Sequence, residues 1–233
     1  MGAARWRRIR LPLPALRSSI TARVWSPAQD TDRLLIAHDG PEYQLRGGLA
    51  EHAARCGRYH LVLLPPGDRP GERDHWYSAC PAYAEALGND ILPRLRSRLG
   101  ARPAVGAGVS LGALAMLHAQ RTRPAGFAGL FLQSGSYFQP RYDRQESGFV
   151  RWSRIIRYVR RVLTAHRGPA VPTTLTCGDA EDNLANNRDM ADALRQQGYP
   201  LTFAVGPGGH DWATWRGALD PHLTTLLGKA WPD

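Results

Sequence analysis

The sequence predicts an α/β fold, a mostly parallel, twisted sheet with helices on both faces. Three observations predict it. Short apolar runs alternate with helical periods along the chain, each pair divided by a Gly or Pro break. Several runs are apolar at nearly every position, as parallel strands buried on both faces must be. The 233 residues, 43% hydrophobic and 21% charged, can build and solvate a domain-sized core.

The strands are expected over residues 19–25, 33–37, 59–64, 104–107, 126–133, 173–177 and 201–205. Helical periods fall at 83–99, 110–121, 149–165, 183–197 and 212–227. No helical pattern separates the first two strands, so they are expected to pair as an antiparallel edge. There is no internal repeat and no linker long enough to separate a second domain from the first, so residues 1–233 read as one domain. It carries a basic, cap-like helical segment at about 139–167, and any lid is expected to be small or minimal.

Composition excludes several classes. The 24 glycines and 18 prolines are scattered without a period, which rules out a collagen-like or low-complexity chain. No apolar run approaches the ~20 residues that span a bilayer. Cys56, Cys80 and Cys177 are odd in number and far apart, and form neither a disulfide framework nor a CxxC pair. The N-terminal arginines precede an apolar stretch cut by Pro12 and Pro14, which leaves no export helix. A cytoplasmic protein is therefore expected. The formal charge is +10, and all 30 basic residues except Lys229 are arginines. No helix-turn-helix, zinc knuckle or aromatic RNA-binding motif accompanies that charge, so nucleic acid is not the expected partner.

Three stretches carry chemistry. In the first, Gly108-Val109-Ser110-Leu111-Gly112, a strand meets a helix through Gly-x-Ser-x-Gly. The spacing makes a sharp turn: the glycines remove side chains that would collide across it, Ser110 Oγ projects from the sheet edge, and the Leu111 N–H is free to donate to an oxyanion. The plainer reading is a Gly-rich turn with Ser110 as a helix cap. In the second, Gly208-Gly209-His210-Asp211, a loop His lies between the last strand and the last helix, with Asp211 as that helix's cap. In the third, Asp179, Glu181 and Asp182 follow the end of a buried strand, where one acid can fix the His tautomer and another can cap the next helix. No histidines are spaced as a metal-binding pair. The chain order Ser, acid, His is that of α/β-hydrolases.

These residues resemble the esterase D and enterochelin-esterase-like group of α/β-hydrolases, which includes feruloyl esterases and the antigen 85 acyltransferases. The resemblance spans about residues 20–227. It rests on His38-Asp39-Gly40, on Arg73 with Trp76-Tyr77, on the Ser110 turn, on Leu132-Gln133-Ser134-Gly135-Ser136, and on Gly-Gly-His210-Asp-Trp-Ala-Thr-Trp-Arg. It implies an α/β-hydrolase fold. In that group the acid falls three residues after the Gly ending its strand, which selects Glu181, ahead of Asp182 and then Asp179. The residue after the Asp-Gly pair there supplies the second oxyanion N–H. Here it is Pro41, which has none. Gly40 is the expected substitute and Glu42 the alternative; failing both, the hole is half built.

The expected function is a serine carboxylic-ester hydrolase acting on a small-molecule ester through an acyl-enzyme, with no metal and no organic cofactor. An acyltransferase using the same acyl-enzyme is the alternative. A non-catalytic binding protein is another, motivated by Pro41 and the Arg-rich segment. Arg151, Arg154, Arg157, Arg160 and Arg161 share one half of a helical wheel opposite an apolar arc of about 120°. That arc alone accounts for an ordinary cap helix with its arginines in water. Otherwise the arginines form a cationic wall near Tyr137 and Phe138, which would select anionic or aromatic esters.

Overall fold

The structure is a computed structural model that describes residues 4–56 and 58–232. The strands are β1 (Arg5–Leu13), β2 (Ser18–Ser26), β3 (Leu34–Ala37), β4 (His60–Leu63), β5 (Ala104–Val109), β6 (Phe127–Gln133), β7 (Thr173–Gly178) and β8 (Leu201–Gly206). Among the described residues they form one eight-stranded sheet in the order β1-β2-β4-β3-β5-β6-β7-β8. From β4 to β8 every neighbouring pair is parallel, and β2 joins β1 and β4 antiparallel.

The first two expected strands do not pair with each other. All four β3 residues are buried, so β3 takes an inner position between β4 and β5. β2 alternates buried and exposed residues from Ile20 to Val24 and suits a place nearer the edge. Its antiparallel partners are β4 on the inner side and, on the outer side, β1, a strand not expected from the sequence. Ile9, Leu11 and Leu13 of β1 face the core, with Arg8, Arg10 and Pro12 facing out. Pro12 is tolerated because β1 is an edge strand, and the outward arginines discourage pairing with another chain.

The period of two sorts the parallel strands onto two cores. Leu34, Ile36, Leu130 and Leu132 pack on one face; Leu35, Ala37, Val105, Ala107 and Phe131 pack on the other. The first face is covered by α3 (Glu72–Tyr77), α4 (Pro81–Ala86), α5 (Leu92–Leu99), α6 (Leu111–Thr122), α7 (Trp152–Leu163) and α8 (Leu184–Gln196). The second is covered by α1 (Gly40–Leu45), α2 (Leu49–Cys56), α9 (Trp212–Gly217) and α10 (Thr224–Ala230).

The expected helix at 83–99 is continued through a π-helical turn at Leu87–Ile91 and ends where Gly100 takes a left-handed φ of 63°. The expected helix at 212–227 is broken at Asp220, whose extended φ of −110° and ψ of 127° suit the residue before Pro221. The basic helix α7 buries Ile155, Tyr158, Val159 and Val162, and Arg157, Arg160 and Arg161 face solvent. The helix is amphipathic, as its sequence predicts.

Candidate active site

β5 is an inner strand, and its C-terminal end delivers Ser110. Ser110 has φ 53° and ψ −123°, a conformation costly for a residue with a Cβ and held here by its surroundings. Its N–H donates to the Gln133 carbonyl (2.9 Å), and its own carbonyl accepts from the Ser136 N–H (3.2 Å). Both glycines of the motif are required by close approach. A Cβ on Gly108 would lie 2.5 Å from the Gly112 carbonyl carbon, and one on Gly112 would lie 2.9 Å from Asp39 Oδ2. Leu111 opens α6, so its N–H has no partner inside the helix.

The β8–α9 loop brings His210 over this turn. Asp211 Oδ1 caps α9 by accepting from the Thr214 N–H (2.9 Å), which fixes the loop's exit. His210 Nε2 lies 3.1 Å from Ser110 Oγ, and His210 Nδ1 lies 2.7 Å from Glu181 Oε2. The Trp215 ring stands edge-on to the imidazole, 4.9 Å between centroids.

Of the three candidate acids, Glu181 is the one in contact with His210. Asp179 accepts from the Gly208 N–H (3.0 Å) and ties the two loops together. Asp182 is exposed at the mouth. The other Glu181 oxygen accepts from Ser134 Oγ (2.5 Å) and the Gly178 N–H (2.8 Å), and Ser134 Oγ accepts from Trp215 Nε1–H (2.8 Å). Burial pushes the Glu181 carboxyl up, but the His210, Ser134 and Gly178 hydrogen bonds outweigh it and hold it below its ordinary range. A carboxylate behind an imidazole behind a hydroxyl can fix the ring tautomer, take the hydroxyl proton and stabilise the imidazolium that forms.

Sequence reasoning missed Tyr43, Asn183 and Asn187, and gave Gln133, Ser134 and Ser136 no role of their own. Asn187 donates to and accepts from the backbone of Gly135, and Asn183 donates to the Ser134 carbonyl. Tyr43 OH donates to Gln133 Oε1, and Gln133 Nε2 donates to the Trp215 carbonyl, linking α1, β6 and α9. Ser136 Oγ lies 3.1 Å from Ser110 Oγ. The available signal was topological. β6 pairs with β5, so polar residues just past β6 must lie beside Ser110.

The expected role of Gly40 fails. Its N–H donates to the Leu64 carbonyl (2.9 Å) as the chain leaves β3, and so is not free for an oxyanion. Neither Gly40 nor Glu42 lines the cavity. Asp39, at a left-handed φ of 51°, is clasped by Arg73 through Nε (2.7 Å) and Nη2 (2.9 Å), which locks this turn against Gly112.

His38 is fully buried behind the Ser110 turn. Its Nδ1–H donates to the Gly112 carbonyl and its Nε2 accepts from Tyr83 OH, both at 2.9 Å. Burial lowers its pKa to about 4. A folded pKa below the unfolded value of about 6.5 makes its contribution complete above that value. The contribution is lost as pH falls from there to about 4. In urea unfolding, wild type is expected to lose about 2–3 kcal/mol more than His38→Gln between pH 7.5 and 4.5. Parallel losses would mean His38 is not buried neutral.

The cavity in front of Ser110 has a volume of about 380 Å³. Ser110, Leu111, Ser136 and His210 line its floor, and Phe138 and Phe149 its apolar walls. Its charged lining is acidic: Asp143, Glu146 and Asp182. No arginine lines it, contrary to the cationic wall considered from sequence. Arg154 turns back to the carbonyls of His75 and Ser78, Arg141 pairs with Asp189 (2.5 Å), and the exposed arginines of α7 face bulk water. Asp143 is buried and accepts from Asn186 and the Gln139 N–H, whereas Glu146 and Asp182 are exposed. Among the described residues, no group of three or more His, Cys, Asp or Glu is placed to hold a metal ion. Nor is any helix among them long and apolar enough to cross a membrane.

The mostly parallel sheet, covered on both faces and ending in this turn, is the α/β-hydrolase fold. Solved structures agree. A ferulic acid esterase superimposes with a TM-score of 0.76 at 19% identity, over 99% of this chain and 100% of its own. The enterobactin esterase FES from Shigella flexneri gives 0.79 at 22% identity over 99% of this chain, which spans 61% of that protein's length. The S-formylglutathione hydrolase FrmB from Staphylococcus aureus gives 0.73 at 16% identity, over 97% of this chain and 100% of its own. At these identities the likeness is one of fold. No curated protein sequence matches the chain. Residues 15–226 match the family model Esterase, described as "Putative esterase", and the chain belongs to that family. It is an esterase, an enzyme that hydrolyses carboxylic esters.

Proposed function

We propose that the protein is a serine carboxylic-ester hydrolase in which Ser110 is the nucleophile, His210 the general base and Glu181 the triad acid. One observation carries the reading: the unbroken hydrogen-bonded run from Ser110 Oγ through His210 to the Glu181 carboxylate. Ser110 Oγ attacks the ester carbonyl and passes its proton to His210 Nε2. The Leu111 N–H receives the oxyanion, and the imidazolium protonates the leaving alcohol. Water, deprotonated by the same His, then releases the acid. Labelling with a fluorophosphonate tests it directly. The probe is expected on Ser110 in wild type and nowhere in Ser110→Ala. A label surviving that substitution refutes the assignment.

The substrate reading follows the lining. Phe138 and Phe149 suit an aromatic group, and the ferulic acid and enterobactin esterases share the fold. Glu146 and Asp182 disfavour negative charge near the ester. Aromatic esters uncharged near the carbonyl are therefore the preferred class. Double substitution Glu146→Gln and Asp182→Asn is expected to raise kcat/KM for an anionic aryl ester about three- to tenfold relative to its neutral analogue. The gain should shrink in high salt. An unchanged ratio removes these carboxylates from specificity.

A further inference from the structure

We infer that the Ser136 hydroxyl is a second catalytic donor, supplying the hydrogen bond that the Gly40-Pro41 turn cannot. The inference rests on Ser110 being the nucleophile. Only the Leu111 N–H is available from the turn that carries it. Pro41 has no N–H, and the Gly40 N–H is engaged by the Leu64 carbonyl. The backbone beyond β6 offers no substitute: the Gly135 N–H donates to Asn187 Oδ1, and the Ser136 N–H donates to the Ser110 carbonyl. What remains is a side chain. Ser136 Oγ lies 3.1 Å from Ser110 Oγ and lines the same cavity floor.

The count of protons fixes the direction of that contact. In the reactive state His210 Nδ1–H donates to Glu181, so His210 Nε2 has only a lone pair to offer. Ser110 O–H must donate to it. The single hydroxyl hydrogen of Ser110 is then used, and Ser110 Oγ can only accept from Ser136. The Ser136 hydrogen is thus aimed at the reacting oxygen before any bond changes. As the Ser110 proton moves to His210, negative charge grows on Oγ and passes, as the C–O bond forms, to a carbonyl oxygen two bonds away. A hydroxyl rotor follows that charge by turning about one bond, with no backbone movement. Its anchor is rigid: Ser136 is 4% exposed, and the Ser134–Ser136 turn is held by Asn183, Asn187 and Ser110.

The test compares wild type with Ser136→Ala and Ser136→Cys. It reads the rate of fluorophosphonate labelling at Ser110, kcat and KM for a neutral aryl ester, and the melting temperature. Ser136→Ala is expected to slow labelling and kcat about 100-fold with KM within about threefold, as removal of one oxyanion donor does. Its melting temperature should change little, because the backbone bonds of Ser136 remain. Ser136→Cys keeps the volume but weakens the donor, and should lose tenfold or more; it carries the test should the alanine variant not fold. Rates within twofold of wild type in the folded variants overturn the inference. Wild type that is not labelled at Ser110 overturns the nucleophile assignment itself, and this inference with it.

Discussion

Ser110→Ala is expected to lower kcat for any hydrolysed ester by about 10⁴-fold or more, the largest effect of any single side chain here. The fold should survive it. The turn is held by the Ser110 backbone and by the close approach of Gly108 to Gly112, none of which needs the hydroxyl. Ala at φ 53° is no more strained than Ser. His210→Ala should cost about as much as Ser110→Ala, and the double variant little more than either, because hydroxyl and imidazole act as one unit. Losses that add on a logarithmic scale would mean the two groups act independently. Single-turnover kinetics with an aryl ester measure this most cleanly.

Glu181→Gln should rank next, lowering kcat about 10³- to 10⁴-fold with little change in KM. The reason is donor geometry. One Glu181 oxygen receives His210 Nδ1–H; the other receives the Ser134 hydroxyl and the Gly178 N–H. An amide NH₂ must face one of these donor sets in either orientation. It will either turn His210 to the wrong tautomer or break the support behind the carboxyl. Asp179→Asn and Asp182→Asn should stay within about tenfold of wild type. Asp179 braces the Gly208 N–H, and Asp182 lies exposed at the mouth. Equal losses at all three positions would overturn the assignment of the acid.

The features of the site visible in the sequence were those encoded within a turn. Gly-x-Ser-x-Gly fixes a backbone bend over five residues, and both glycines proved sterically necessary. Asp211 as a cap follows from the same short-range logic. Glu181 was singled out only through the family resemblance, three residues after Gly178; the residues alone left it level with Asp179 and Asp182, and the contact with His210 is a tertiary one. The short helices α1, α2 and α3 were not visible. Six to eight residues hold too little of a helical period to stand out, and tertiary packing rather than propensity forms them. β1 carried a two-residue alternation at Ile9, Leu11 and Leu13, but Arg10 and Pro12 between them masked it.

The amino-acid order by itself determined the layering, the bend that presents Ser110 and the succession of hydroxyl, carboxylate and imidazole along the chain. Each is written along the chain itself: the bend in five contiguous residues, the layering in the alternation of apolar runs and helical periods, and the succession in the order of the motifs. Tertiary structure decided which groups meet. It placed β4 between β2 and β3, bound the Gly40 N–H to Leu64, turned the arginines of α7 away from the cavity and set Ser136 against Ser110. The physical reason is range: a turn is specified by its own atoms, whereas the partner of an N–H or a hydroxyl is specified by whichever distant strand packs beside it.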